Sequence, residues 1–263
     1  MVGPYEKLVK RVAAFGLALG LLAAGCGAMA QKFEAGYQVQ RSYEAGVERY
    51  RAGDYVGAIP HFQRVLAVDP LFDEAEAHLA WSFYHTGQYM EATRHFRQAI
   101  ARQPKGAELY DGLGWSRYQV KRYHLALEAF RRALALDPSY RDAAVGFAYN
   151  LLELGRYAEA LPHLERLTRE GEGQMVRSPT TDVEEVRSRY AWTLFYLGEF
   201  EKARGQFMTG LAARPNWSGL HNGLGWTYLR LGDKARARPS FQRALQLQPD
   251  YPDAKEGLAQ ASP

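Results

Sequence analysis

The chain has 263 residues, 47% hydrophobic and 24% charged, a make-up that excludes disordered and collagen-like classes. Its formal net charge is +4, and Lys7, Lys10 and Arg11 against Glu6 supply +2 of it, so the rest of the chain is too nearly neutral for nucleic-acid binding. The single cysteine, Cys26, excludes an internal disulfide framework and a cysteine-rich metal site.

Residues 1–11 form a positive flank, and 12–24 form an apolar run interrupted only by Gly16 and Gly20. The run is shorter than the roughly 20 residues a membrane-spanning helix needs, but it suits the apolar region of a signal peptide. Two processing signals follow. Leu22-Ala23-Ala24-Gly25-Cys26 resembles a bacterial lipobox, which would make Cys26 the lipid-modified first residue of the mature protein; Ala28-Met29-Ala30 before Gln31 is an A-x-A site, the alternative cleavage after residue 30. Either route exports the chain. By resemblance to Gram-negative lipoproteins, Gly27 rather than Asp after the cysteine favours the outer membrane, facing the periplasm; cleavage at Ala30 would leave a soluble periplasmic protein. Residues 1–26 are thus read as a signal region and 27–38 as a linker, with contact to the membrane only through a lipid anchor at Cys26.

From residue 39 onward the chain superposes on itself as six units of 34 residues: 39–72, 73–106, 107–140, 141–174, 184–217 and 218–251. A period of this length points to a solenoid, because one unit is too small to bury a core alone. The twentieth residue is Ala58, Ala92, Ala126, Ala160, Ala203 and Ala237, and the twenty-fourth is Phe62, Phe96, Phe130, Leu164, Phe207 and Phe241, one turn later on the same face. The eighth residue is always small, as Gly46, Ala80, Gly114, Ala148, Ala191 and Gly225, so two helices can approach closely there. Gly53, Gly87, Gly155, Gly198 and Gly232 end the first helix at position fifteen, where Lys121 is the exception. Pro70, Pro104, Pro138, Pro215 and Pro249 close the second helix. Pro60, Pro162 and Pro239 at position twenty-two are tolerable if that helix starts only three or four residues earlier.

This pattern resembles the tetratricopeptide repeat (TPR) over residues 39–251, departing from it at Lys121, Glu172 and Lys234. The resemblance implies an all-α fold, a right-handed α-solenoid of six TPR helix-turn-helix repeats, with the first helix of each pair lining a concave groove. Residues 252–263 read as a capping helix and tail. The spacing places an insertion at 175–183, within a Gly-rich polar stretch at 169–181 taken as a surface loop. Asp182 with Glu185 three residues later is placed to cap the next helix.

Positions two, five, nine, twelve and thirteen fall on one stripe of the first helix. The ninth carries Trp81, Trp115, Tyr149, Trp192 and Trp226 after Val47; the twelfth carries Tyr84, Tyr118 and Phe195 along with Tyr50, Leu152 and Leu229. Glu74, Glu108, Asp142 and Glu185 at position two add an acidic edge. Such a surface suits a protein or peptide segment, or a polysaccharide stacked on the rings, although the rings can equally pack between neighbouring first helices. No nucleophile, phosphate-loop or H-E-x-x-H motif is present. His61, His95 and His163 recur at position twenty-three, a repeat apart and so poorly placed to share a metal. The sequence therefore predicts a non-enzymatic scaffold of the bacterial envelope without cofactor or metal, resembling TPR lipoproteins of secretion, pilus or envelope assembly, with a carbohydrate-binding part in polysaccharide export as the alternative.

Overall fold

The computed structural model describes residues 25–171 and 182–262, with side chains from residue 34 onward. The apolar run at 12–24 and most of the insertion lie outside them. The described residues are all-α. Pairs of helices follow one another as α1 (Gly25–Arg51) and α2 (Tyr55–Val68), α3 (Asp73–His85) and α4 (Tyr89–Arg102), α5 (Ala107–Gln119) and α6 (Tyr123–Leu136), α7 (Arg141–Glu153) and α8 (Tyr157–Gly171), α9 (Val183–Tyr196) and α10 (Phe200–Ala213), and α11 (Ser218–Arg230) and α12 (Lys234–Leu247), closed by α13 (Pro252–Ala261). The chain divides into a unit ending at Ser116 and a second beginning at Arg117.

Each hairpin turns through the same cap. The residue after position fifteen donates its N–H five residues back, as in Asp54 to Arg49 (2.9 Å), Gln88 to Phe83 (2.8 Å) and Asp233 to Tyr228 (2.8 Å), which satisfies carbonyls the first helix leaves open. This closure needs a left-handed residue. The five glycines supply it with φ from 68° to 82°, and Lys121 adopts φ 58° in the same turn, bearing a strain that glycine avoids.

All six alanines of position twenty are 0% exposed, as are the six apolar residues of position twenty-four. Each phenylalanine at position twenty-four sits between two first helices. In its own repeat it faces position eight, where a Cβ on Gly225 would lie 2.7 Å from Phe241. In the next repeat it lies against position six, where Gly112 meets Phe96, Gly146 meets Phe130, Gly223 meets Phe207 and Gly257 of α13 meets Phe241, each so closely that the glycine has no room for a Cβ. The position-six glycines are a packing requirement that the eighth-position pattern alone did not reveal.

Two expectations are corrected. Pro60, Pro162 and Pro239 stand five residues after the starts of α2, α8 and α12, so each removes an intrahelical hydrogen bond. All three are on exposed faces, where water can satisfy the freed carbonyl. Arg169 and Gly171 are helical rather than loop: α8 lacks the proline that stops the other second helices, and Arg141 on α7 holds its end through the Leu167 carbonyl (3.0 Å) and Glu170 (3.8 Å). Asp182 caps α9 by accepting from the Glu184 N–H (2.9 Å), while Glu185 turns outward to Arg189 (3.4 Å).

Candidate functional site

Successive first helices meet directly, α1 with α3 in the first unit and α9 with α11 in the second. Their shared face is where the aromatic stripe falls.

In the first unit Trp81 is half-buried, its ring edge-on to Phe96 at 5.0 Å and to Tyr84 at 5.6 Å. The anchored edge belongs to the core and the remainder stays available. His85, at position thirteen, lies parallel to Trp81 at 6.0 Å and stacks on Tyr55 of the preceding hairpin at 4.2 Å. Burial pushes the His85 imidazole below its ordinary range, and burial with neighbouring Tyr55 pushes the Tyr50 phenol up to about 12. Both rings are therefore neutral near pH 7. Glu74 and Glu108 are exposed beside this face.

The second unit repeats the device with different rings. Trp192 is edge-on to Phe207 at 5.4 Å and Phe195 at 5.4 Å, and Tyr196 lies between Trp192 (5.9 Å) and Tyr157 (4.9 Å) in a nearly parallel stack while 58% exposed. One repeat on, Arg230 replaces the ring and places its guanidinium over Phe200 at 4.8 Å. Trp226 is edge-on to Phe241 at 5.5 Å and donates its indole N–H to Asp253 of α13 (3.0 Å), which also accepts from Asn222. Tyr118 donates to Glu153 (2.9 Å), and burial followed by that bond pushes its phenol up.

Two predicted groove residues are not presented. Trp115 is 8% exposed, in a run from Asp111 to Ser116 that is buried throughout, and Tyr149 is 5% exposed with the Arg189 guanidinium 3.9 Å above its ring. Burial holds the Tyr149 phenol up. Arg189 also engages Glu185, so that part of the acidic edge is neutralised within the fold; Asp142 is half-buried. The stripe thus offers Trp81, Tyr84, Tyr118, Trp192, Phe195 and Trp226. Sequence reasoning put position thirteen on the stripe and read His85 as a groove or surface residue, but it did not single out Tyr196 and Arg230 there, because the chemical types in that column differ. It also missed their partners Tyr55, Tyr157 and Phe200 at position seventeen, although that Tyr/Phe column was a readable signal.

The position-twenty-three histidines serve the fold. His95 is buried and its Nδ1 pairs with Glu76 at 2.7 Å, while His61 and His163 are held low by burial. Among the described residues no three His, Cys, Asp or Glu side chains converge as metal ligands, and no helix is long and apolar enough to cross a membrane.

Comparison with known families fits this geometry. One tetratricopeptide repeat model matches residues 43–107, 79–141, 189–252 and 222–262, and a second matches 118–177. The chain is an α-solenoid interaction scaffold. It belongs to the tetratricopeptide repeat family, and no enzyme family is among the matches. No curated protein sequence matches it. Among solved structures it resembles PilF of Pseudomonas aeruginosa (TM-score 0.69, 19% identity, 86% of this chain and 99% of that one). It also resembles PilW, described as a widely conserved type IV pilus biogenesis factor (0.66, 20%, 84% and 98%). A third is YrrB, described as a TPR protein with an unusual peptide-binding site (0.63, 20%, 74% and 96%). At these identities the likeness is one of fold.

Proposed function

We propose that the chain is a scaffold of the bacterial envelope that binds a protein or peptide segment on the aromatic faces of its first helices, exported and anchored through a lipid on Cys26. The observation that carries the binding reading is the set of half-exposed rings, Trp81, Trp192, Trp226 and Tyr196, each fixed by a ring contact and leaving part of its surface to solvent. A ring already ordered by packing loses little further side-chain entropy on binding, which makes such anchors effective. The exposed carboxylates Glu74 and Glu108 favour a segment with basic residues. Fold neighbours described as a peptide-binding TPR protein and a pilus biogenesis factor support this direction. The lipobox Leu22–Cys26 supports the anchor.

Photo-crosslinking in living cells tests the reading. A benzoylphenylalanine at Tyr196 is expected to capture a protein, and one at Met208, exposed on the second helix α10, to capture much less. Capture of polysaccharide in place of protein would favour the export-system alternative. Fatty-acid labelling that marks the native chain but not Cys26→Ser is the expected result for the anchor; an unlabelled chain beginning at Gln31 contradicts it.

A further inference from the structure

A pocket of about 430 Å³ lies between α1 and α3 in the first unit, lined by Tyr43, Glu44, Val47, Glu48, Arg51 and His78. The five α1 residues are spaced i, i+1, i+4, i+5 and i+8, so they form one face of the helix. Its walls are flat and largely apolar: Tyr43 meets His78 edge-on at 5.8 Å and packs on Phe72 at 4.8 Å. His78 occupies position six, where the third, fourth and sixth repeats have glycine, and lies nearly parallel to Phe62 at 5.3 Å.

The polar groups around it are mainly acceptors. His78 spends Nδ1–H on the Glu74 carbonyl (2.7 Å), which makes Nε2 the acceptor of the neutral ring. Glu44 and Glu48 are exposed carboxylates at the rim, Glu44 also accepting from Gln40 (2.8 Å). Glu74 acts on Tyr43 from α3, and Arg51 is the one cation among the lining residues.

We propose that this pocket takes an arginine side chain of the bound segment, with the guanidinium against the Tyr43 and His78 rings and its N–H groups on Glu44 and Glu48; the proposal deepens the peptide-binding reading above and rests on it. A planar cation with a fork of donors matches flat rings flanked by paired carboxylates better than a point-charge ammonium does. The chain uses the same arrangement internally. Arg189 lies over Tyr149 beside Glu185, and Arg236 lies 4.8 Å over Tyr228 beside Asp233. At the first junction the ring and carboxylates are present in an open pocket, and a partner supplies the guanidinium.

The test is an NMR titration of the full chain at pH 7.5 and constant ionic strength with n-propylguanidinium, compared with the neutral isostere n-propylurea. Saturable shifts of the Val47 methyls and the His78 ring with the cation alone are expected. They should weaken on the order of fivefold in Glu44→Gln/Glu48→Gln and strengthen in Arg51→Gln. Equal response to the urea, or no saturable response to the cation, overturns the proposal. The two readings separate in a titration with a captured partner segment. Shifts at Trp192 with none at Val47 overturn the arginine pocket and leave the aromatic face standing, whereas absence of binding at any aromatic position removes the reading on which the pocket depends.

Discussion

The first and last junctions of the solenoid are built in the same 34-residue frame and contrast most clearly at position six. At the last, Phe241 lies over Gly257, α13 closes onto α12, and Trp226 is tied to Asp253. At the first, Phe62 meets the His78 ring instead of a glycine, and an open pocket rimmed by the exposed carboxylates of Glu44 and Glu48 lies beside it. The contrast teaches that position six sets how tightly neighbouring repeats close, while positions nine and thirteen set what the closed face displays.

The largest effect that would break this comparison concerns a ring of the stripe that is buried. Trp115→Ala should destabilise the protein by about 3–5 kcal/mol, since it empties a buried site. Trp192→Ala, on a half-exposed ring, should cost far less stability and lose partner binding. Thermal melts of the two variants side by side check the order.

Next come the glycines. Gly257→Ala and Gly112→Ala should each cost about 1–3 kcal/mol, because a Cβ there must displace a phenylalanine already enclosed by the core. Gly225→Ala at position eight should cost less, since Ala80, Ala148 and Ala191 fill the same position in other repeats. Equal losses in urea denaturation would mean that position six is not the tighter contact.

Lys121→Gly should stabilise by about 0.5–1 kcal/mol, because glycine accepts the left-handed turn that lysine holds at φ 58°. Gly198→Lys, the reverse change at φ 82°, should destabilise by a similar amount. Proton linkage contributes the smallest effect. Burial lowers the imidazoles of His61, His85 and His163, so below about pH 6.5 the unfolded chain takes up protons that the folded chain refuses. Stability from these groups is full above that pH and is lost as the pH falls. The melting temperature should therefore drop between pH 7.5 and 5.5, and His85→Phe should flatten part of that slope.

Much of the fold was legible because it is carried by repeated local chemistry. Alanine at position twenty and phenylalanine at position twenty-four announce a buried seam, and glycine at position fifteen announces a left-handed cap. The site was only half legible. Periodicity assigned Trp115 and Trp192 to one stripe, but the burial of each is decided by neighbours from other helices, which spacing along one helix does not encode. Arg189 over Tyr149 is a case of this: the covering group comes from the next repeat. Glycine at position six was also hidden in part, because Glu44, His78 and Arg189 interrupt the column.

The indole N–H resonances of the five tryptophans provide the most direct test of the central claim, that the half-exposed rings of the first helices are the binding surface. Titrating the 15N-labelled protein with a segment of the protein captured from Tyr196 should move the signals of Trp192 and Trp226, or of Trp81, while Trp115 stays in place. Binding of that segment with Trp81, Trp192 and Trp226 all unmoved would contradict the account and place the site off the aromatic face.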